Sequence, residues 1–195
     1  MALISIVGTS GVGKSFLAAQ LASLNCAPVF LEGEEGVIPQ DVFTTVFAGD
    51  PVGRFQYFID RYNSNLSKAK MISDMGLDVY ADGAMMSIEA HVPYEEKKYH
   101  DTLNELVNNV PDNNSDVVVL LTANKERLAK SLKSRGRITE QEEEALTRSI
   151  TIQESFIDVS KKYPNVIRID RTNLDFSNEK DLRIVDKTIK DFLIK

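Results

Sequence analysis

A chain of 195 residues, 43% apolar and 27% charged, is long enough to bury one sizeable core and ordinary in composition for a globule. Its net charge of −6 argues against a broad nucleic-acid footprint, so any anion site has to be basic locally. The one cysteine, Cys26, cannot close an internal disulfide, and no run reads as a membrane span or a secretory leader. The expectation is a cytoplasmic protein whose partners are neither nucleic acid nor membrane.

The first apolar run, LISIV, reads as a buried strand and leads directly into GTSGVGKS, residues 8–15. The spacing is G-x-x-x-x-G-K-S. Gly8, Gly11 and Gly13 let the backbone turn tightly, so that the N–H groups of Gly8, Thr9, Ser10, Gly11, Val12 and Gly13 can close on an anion. The helix that follows, SFLAAQLASL, has apolar residues at Phe16, Leu17, Leu21 and Leu24 and points its positive end at the same place. Lys14 can reach β- and γ-phosphates, and the Ser15 hydroxyl can ligate Mg²⁺. Strand, loop and helix in this order predict a nucleoside triphosphate site, with ATP and Mg²⁺ as cofactors.

Further along, PVFLE, DVYAD, DVVVLLTA and NVIRID read as four more strands, alternating with helical stretches. Five strands with helical crossovers predict an α/β fold: the three-layer fold of phosphate-loop NTPases, a five-stranded parallel sheet with helices on both faces. VPDNNSD reads as a loop. TEQEEEALTR reads as the solvated face of a helix rather than an interaction tail. NEKDLRIVDKTIKDFL is a terminal helix with Leu182, Val185, Ile189 and Phe192 on one face, and Asn178 with Asp181 reads as its capping start. No repeat or long linker divides the chain, so residues 1–195 are expected to form a single domain.

Ligands of open α/β sheets bind at the carboxyl ends of the strands. The second strand runs into Glu32, Glu34 and Glu35, and the third ends at Asp82. Either acid could be a helix cap. Together beside a phosphate loop they also suit phosphoryl transfer, which needs a base or orienting group and a carboxylate near Mg²⁺. Asp82 is accordingly a candidate metal ligand with Ser15. After the fourth strand, Lys125, Arg127, Lys130 and Lys133 can solvate a helix. Arg135 and Arg137 flank a glycine and have the form of a short arginine lid over about residues 133–142, which would stabilise transferring charge and exclude water.

At this point the chain resembles the deoxynucleoside kinase family, relatives of deoxyguanosine and deoxyadenosine kinases, and more remotely thymidylate kinases. LEGEEGVIP resembles the family's E-P-x-E stretch, FAGDPVGRFQYFIDRY its aromatic, glutamine-bearing pocket helix, SRGR followed by Glu140 its lid, and the chain from VIRID to the end its last strand, loop and helix. The resemblance implies Glu32 as the base for a sugar 5′-hydroxyl, Arg135 and Arg137 as catalytic lid residues, and Glu35, Gln56, Arg61, Asp82 and Glu89 around a small nucleoside substrate. Gly83 stands where the family has an arginine. Three readings stay open: a deoxynucleoside kinase, a nucleoside monophosphate or other small-molecule kinase using Arg54, Arg61, Lys68 and Lys70, and a nucleotide-binding regulatory protein. The long helices after the second and third strands are surfaces through which two subunits could pair as a homodimer.

Overall fold

A computed structural model describes residues 1–32, 51–109, 115–135 and 143–194, the last residue of the third segment by its backbone alone. Five strands, β1 (Leu3–Val7), β2 (Val29–Phe30), β3 (Val79–Asp82), β4 (Val117–Thr122) and β5 (Val166–Asp170), form one sheet in the order β2-β3-β1-β4-β5. Every pairing is parallel. The helices are α1 (Lys14–Leu24), α2 (Pro51–Asp74), α3 (Met85–His91), α4 (His100–Asn108), α5 (Lys125–Arg135), α6 (Glu143–Ser160) and α7 (Glu179–Leu193), with 3₁₀ turns at Val92–Tyr94 and Lys97–Tyr99. None of them, among the described residues, is long and apolar enough to cross a membrane.

The three central strands, β3, β1 and β4, are buried along their whole length because helices cover both faces, whereas β5 alternates buried and exposed residues. Ile4 and Ile6 of β1 join Val117, Val119 and Leu121 of β4 in a core closed by α1 and α7, with Leu182, Val185 and Ile189 of α7 buried there. Leu3 of β1 faces α2 and α4, while Val7 with Val118 and Leu120 faces α3 and α6. The strand order puts β1 at the centre: the chain goes from β1 to β2 and β3 on one side, then crosses from β3 past β1 to β4 and β5 on the other. A crevice therefore opens at its carboxyl end, beside β3 and β4.

Three sequence expectations are modified. The run PVFLE forms only two residues of strand, because β2 is an edge strand paired to β3 alone. Phe16 lies off the buried stripe of α1, which runs through Leu17, Ala18, Leu21 and Ala22, and is 47% exposed. Asn178 does cap α7, its side chain accepting from Lys180 N at 2.9 Å, but Asp181 accepts from Asp175 N rather than reciprocating at Asn178.

His91 ends α3 with its Nδ1 2.6 Å from the Ser87 carbonyl and its ring edge-on to Phe156. Burial pushes its pKa below the usual 6.5, helped by the charges of Lys14 and Arg148 and opposed by the Ser87 bond. Unfolded chains then bind a proton near pH 6.5 that the native state still refuses. This contribution to stability is present above pH 6.5 and is lost as pH falls through that value. The urea midpoint of wild type should therefore drop more between pH 7.5 and 5.0 than that of His91→Gln; equal drops in the two proteins would contradict it.

Candidate active site

The phosphate loop leaves β1 at Val7 and enters α1 at Lys14, with Gly13 as N-cap in the left-handed region at φ 93°. No side chain caps this helix and no acid lies in its first turn, so its leading amides and dipole are directed at the loop. Lys14 Nζ folds back onto the Thr9 carbonyl at 3.3 Å. The Thr9 hydroxyl is buried with no hydrogen-bond partner among the described residues. Leu132 of α5 packs over Gly11, which ties the helix leading to the expected lid onto the loop.

Asp82 closes β3 in register with Ile6 of β1, is 4% exposed, and accepts the Ser15 hydroxyl on Oδ2. Its other oxygen, Oδ1, is buried and makes no hydrogen bond of good geometry among the described residues, although the Glu32 backbone N–H lies close enough to favour the carboxylate. Burial raises its pKa and the charge of Glu32 adds to this, while Lys14 and the Ser15 hydroxyl act against the rise. A hydroxyl and a carboxylate with one open oxygen, joined beside a phosphate loop, are hard donors of the kind Mg²⁺ takes. Ser15 and Asp82 thus fit the ion together.

Glu32 follows β2 and comes to the same end of the sheet. Its Oε1 accepts from the Tyr62 hydroxyl at 2.9 Å, and its backbone carbonyl accepts from Arg61 Nη2. Arg61 also donates to the Tyr57 hydroxyl oxygen at 3.1 Å. Gly83, at φ 106°, lies against the Tyr62 ring; a Cβ there would fall 2.3 Å from Tyr62 Cε1. The position where the family resemblance implies an arginine is thus filled from α2.

Sequence reasoning missed Tyr62 and Arg171. Tyr62 continues the buried stripe Phe55, Ile59, Leu66 of α2 and reads as core. Arg171 directly follows β5, is 8% exposed, donates Nη1–H to the Val12 carbonyl and stacks 4.7 Å from the Phe176 ring centroid. Its one sequence signal is an arginine at the carboxyl end of a strand.

The remaining expected site residues lie elsewhere or outside the description. Gln56 is exposed on α2 and donates to Asp60 Oδ1 at 2.8 Å. Glu89 of α3 accepts from Lys162 and, at 2.6 Å, from the Tyr163 hydroxyl, both just past α6. Arg54 pairs with Glu95 at 2.5 Å and Lys70 with Asp74 at 2.8 Å. Arg135 is the last residue of α5. Glu34, Glu35, Arg137 and Glu140 lie outside the described residues, as does most of the lid expected at 133–142.

A five-stranded parallel sheet, helices on both faces and a glycine-rich turn from β1 into α1 define the fold of a phosphate-loop NTPase. Within that class the fold is the one seen in deoxynucleoside and thymidylate kinases. A deoxyadenosine kinase from M. mycoides, solved with products dCMP and a flexible dCDP, superposes with a TM-score of 0.71 at 19% identity, covering 97% of this chain and 99% of that one. The same enzyme with bound dATP gives 0.68 at 17% identity over 96% and 99%. Thymidylate kinase from Ehrlichia chaffeensis gives 0.64 at 17% identity over 96% and 97%. No protein-family model and no curated protein sequence matches the chain.

Replacing Asp82 by asparagine keeps an acceptor for Ser15 but removes the charge that a bound ion would meet. Asp82→Asn should weaken Mg²⁺ binding to the ATP complex by at least about tenfold while leaving metal-free ATP binding within about twofold. Calorimetric titration with and without Mg²⁺ reads both values, and an unchanged Mg²⁺ dependence would remove Asp82 from the metal site.

Proposed function

We propose that the chain is an ATP-dependent nucleoside kinase, transferring the γ-phosphate to the 5′-hydroxyl of a (deoxy)nucleoside. The observation that carries this reading is Glu32: a carboxylate at the end of β2, held beside Asp82 and the phosphate loop. A sugar hydroxyl has to lose a proton as it attacks, and a carboxylate at that position can take it. The fold neighbour solved with dCMP as product supports it, since a monophosphate is what phosphorylating a nucleoside yields.

In this mechanism the loop amides and the start of α1 bind the triphosphate, and Lys14 leaves its resting contact with Thr9 for the β- and γ-phosphate oxygens. Ser15 and Asp82 would hold Mg²⁺, which when bound neutralises charge on the phosphates. Glu32 accepts the 5′-hydroxyl proton as the new O–P bond forms and the bond to the ADP oxygen breaks. Arg135 and Arg137, on the lid, stabilise the charge of the transferring group and keep water from taking the hydroxyl's place. Turnover is expected in the cytoplasm, and a homodimer is expected to form through the helices after β2 and β3.

A second reading, a nucleoside monophosphate kinase, is favoured by one observation: Arg61 stands beside Glu32, where it could meet an acceptor phosphate. The thymidylate kinase fold neighbours are compatible with it.

The test is phosphate transfer from radiolabelled ATP to a panel of deoxynucleosides and their monophosphates. Wild type should phosphorylate a nucleoside, and Glu32→Gln, which keeps size and an acceptor but cannot take a proton, should lower kcat by about 10²- to 10⁴-fold with ATP and nucleoside binding retained. Phosphorylation of a monophosphate alone, with Glu32→Gln still active, would replace this reading by the second, because an ionised phosphate needs no base. Product from neither panel would leave a regulatory nucleotide-binding role.

Lys14→Ala should lower ATP turnover by at least about 10²-fold with an unchanged circular dichroism spectrum, since it removes the charge aimed at the phosphates. Undiminished turnover in that variant would refute transfer at this loop.

A further inference from the structure

We infer that Tyr62 is a positioning residue for the Glu32 carboxylate, and that Gly83 is the matching gap that admits its ring. The inference rests on Glu32 as the base of the proposed reaction. β2 has only two residues and pairs on one side, so the sheet alone holds Glu32 weakly. The firm grip comes from α2, through two consecutive residues: Arg61 donates to the Glu32 main-chain carbonyl and Tyr62 donates to its Oε1 at 2.9 Å. Tyr62 is 6% exposed and fixed within the stripe of Phe55, Ile59 and Leu66, with the Phe58 ring beside it at 6.5 Å.

The ring's seat requires the glycine. A Cβ at position 83 would lie 2.3, 3.0 and 3.0 Å from three Tyr62 ring carbons, so the ring and a side chain at 83 exclude each other. The phenol also stays a donor. Burial, then the charges of Glu32 and Asp82, push its pKa well above the usual 10, so its proton is retained at any working pH. With Oε1 occupied by that hydroxyl, proton acceptance from the substrate falls to Oε2. A carboxylate fixed at one oxygen is oriented at the other, and orientation acts on the chemical step rather than on substrate binding.

Tyr62→Phe keeps the ring over Gly83 and removes only the hydroxyl. It should lower kcat by about 10- to 100-fold, the range for a hydrogen bond to a charged group, with KM for ATP and nucleoside within about twofold. In a Glu32→Gln background the same change should cost no more than about twofold, because a residue acting through Glu32 has nothing left to position. Wild-type kcat in Tyr62→Phe, or an equal loss in both backgrounds, overturns the inference. A wild type inactive on every acceptor would refute the proposed function instead, and the contact is then judged by a double-mutant cycle in urea midpoint. The loss from Tyr62→Phe should shrink in the Glu32→Gln background, where the hydroxyl no longer meets a charge. An equal loss in both backgrounds overturns the inference without reference to catalysis.

Discussion

The shape of the phosphate loop depends on a cation inserted behind it. Arg171 reaches from the end of β5 to the Val12 carbonyl and occupies the space where a side chain on Gly13 would lie, its Nη1 only 2.0 Å from the Cβ position. Gly13 therefore answers two demands at once, a left-handed backbone and the absence of a Cβ. From that residue α1 takes its direction, and α1 carries Ser15 to Asp82. A buried guanidinium is expensive unless paired, and among the described residues this one makes no ion pair with a carboxylate: it has one carbonyl, the face of Phe176, and an Nε with no hydrogen-bond partner. Burial and nearby Arg127 push its pKa down, against the charge of Asp175. The loop thus concentrates positive charge in a chain of net charge −6, and a polyphosphate, were one bound in front of it, would relieve that imbalance.

The acid side of the crevice is organised by a second missing Cβ. At Gly83 the occupant is the Tyr62 ring rather than a cation, which leaves Lys14 as the charge that most favours the ionised form of Asp82. Cation and carboxylate come from two adjacent strand ends, one from the loop that follows β1 and the other from its neighbour β3. They meet because the strand order sets β3 directly beside β1 although 71 residues, Gly8 to Asp78, separate the two strands in sequence. On the proposed reading, phosphate and metal ion would meet at a single short array: Lys14, Ser15 and Asp82.

What could be read from the sequence follows from the range of the forces involved. β1, β3 and β4 were legible as apolar runs because they are buried along their whole length, and the loop was legible because its chemistry is local to eight residues, 8–15. Strand order was not, since nothing in an apolar run says which neighbour it will meet. Tyr62 and Arg171 were invisible for the same reason: one looks like any aromatic on a core stripe, the other like any arginine after a strand, and only packing against Gly83 and Gly13 gives them a role. The converse holds for Gln56 and Glu89. Their residue types suit a binding site, but helix α2 turns Gln56 toward Asp60 and solvent, and α3 aims Glu89 at Lys162 and Tyr163.

Charge also bears on which acceptor the crevice suits. A nucleoside hydroxyl arrives neutral and surrenders a proton, whereas a monophosphate arrives with about two negative charges. The charge of Glu32 adds to the rise in the Asp82 pKa, so the two carboxylates already repel each other. An acceptor phosphate set against these carboxylates needs a cation free to offset that repulsion. Arg61, the guanidinium nearest to Glu32 by its hydrogen bonds, already donates to the Glu32 carbonyl and to Tyr57, and Arg54 is paired with Glu95. Recruiting either would leave a carbonyl or a carboxylate without its donor, while a hydroxyl acceptor leaves both in place and uses the acids as they stand. Among the described residues, these engagements support the proposed neutral acceptor over an anionic one.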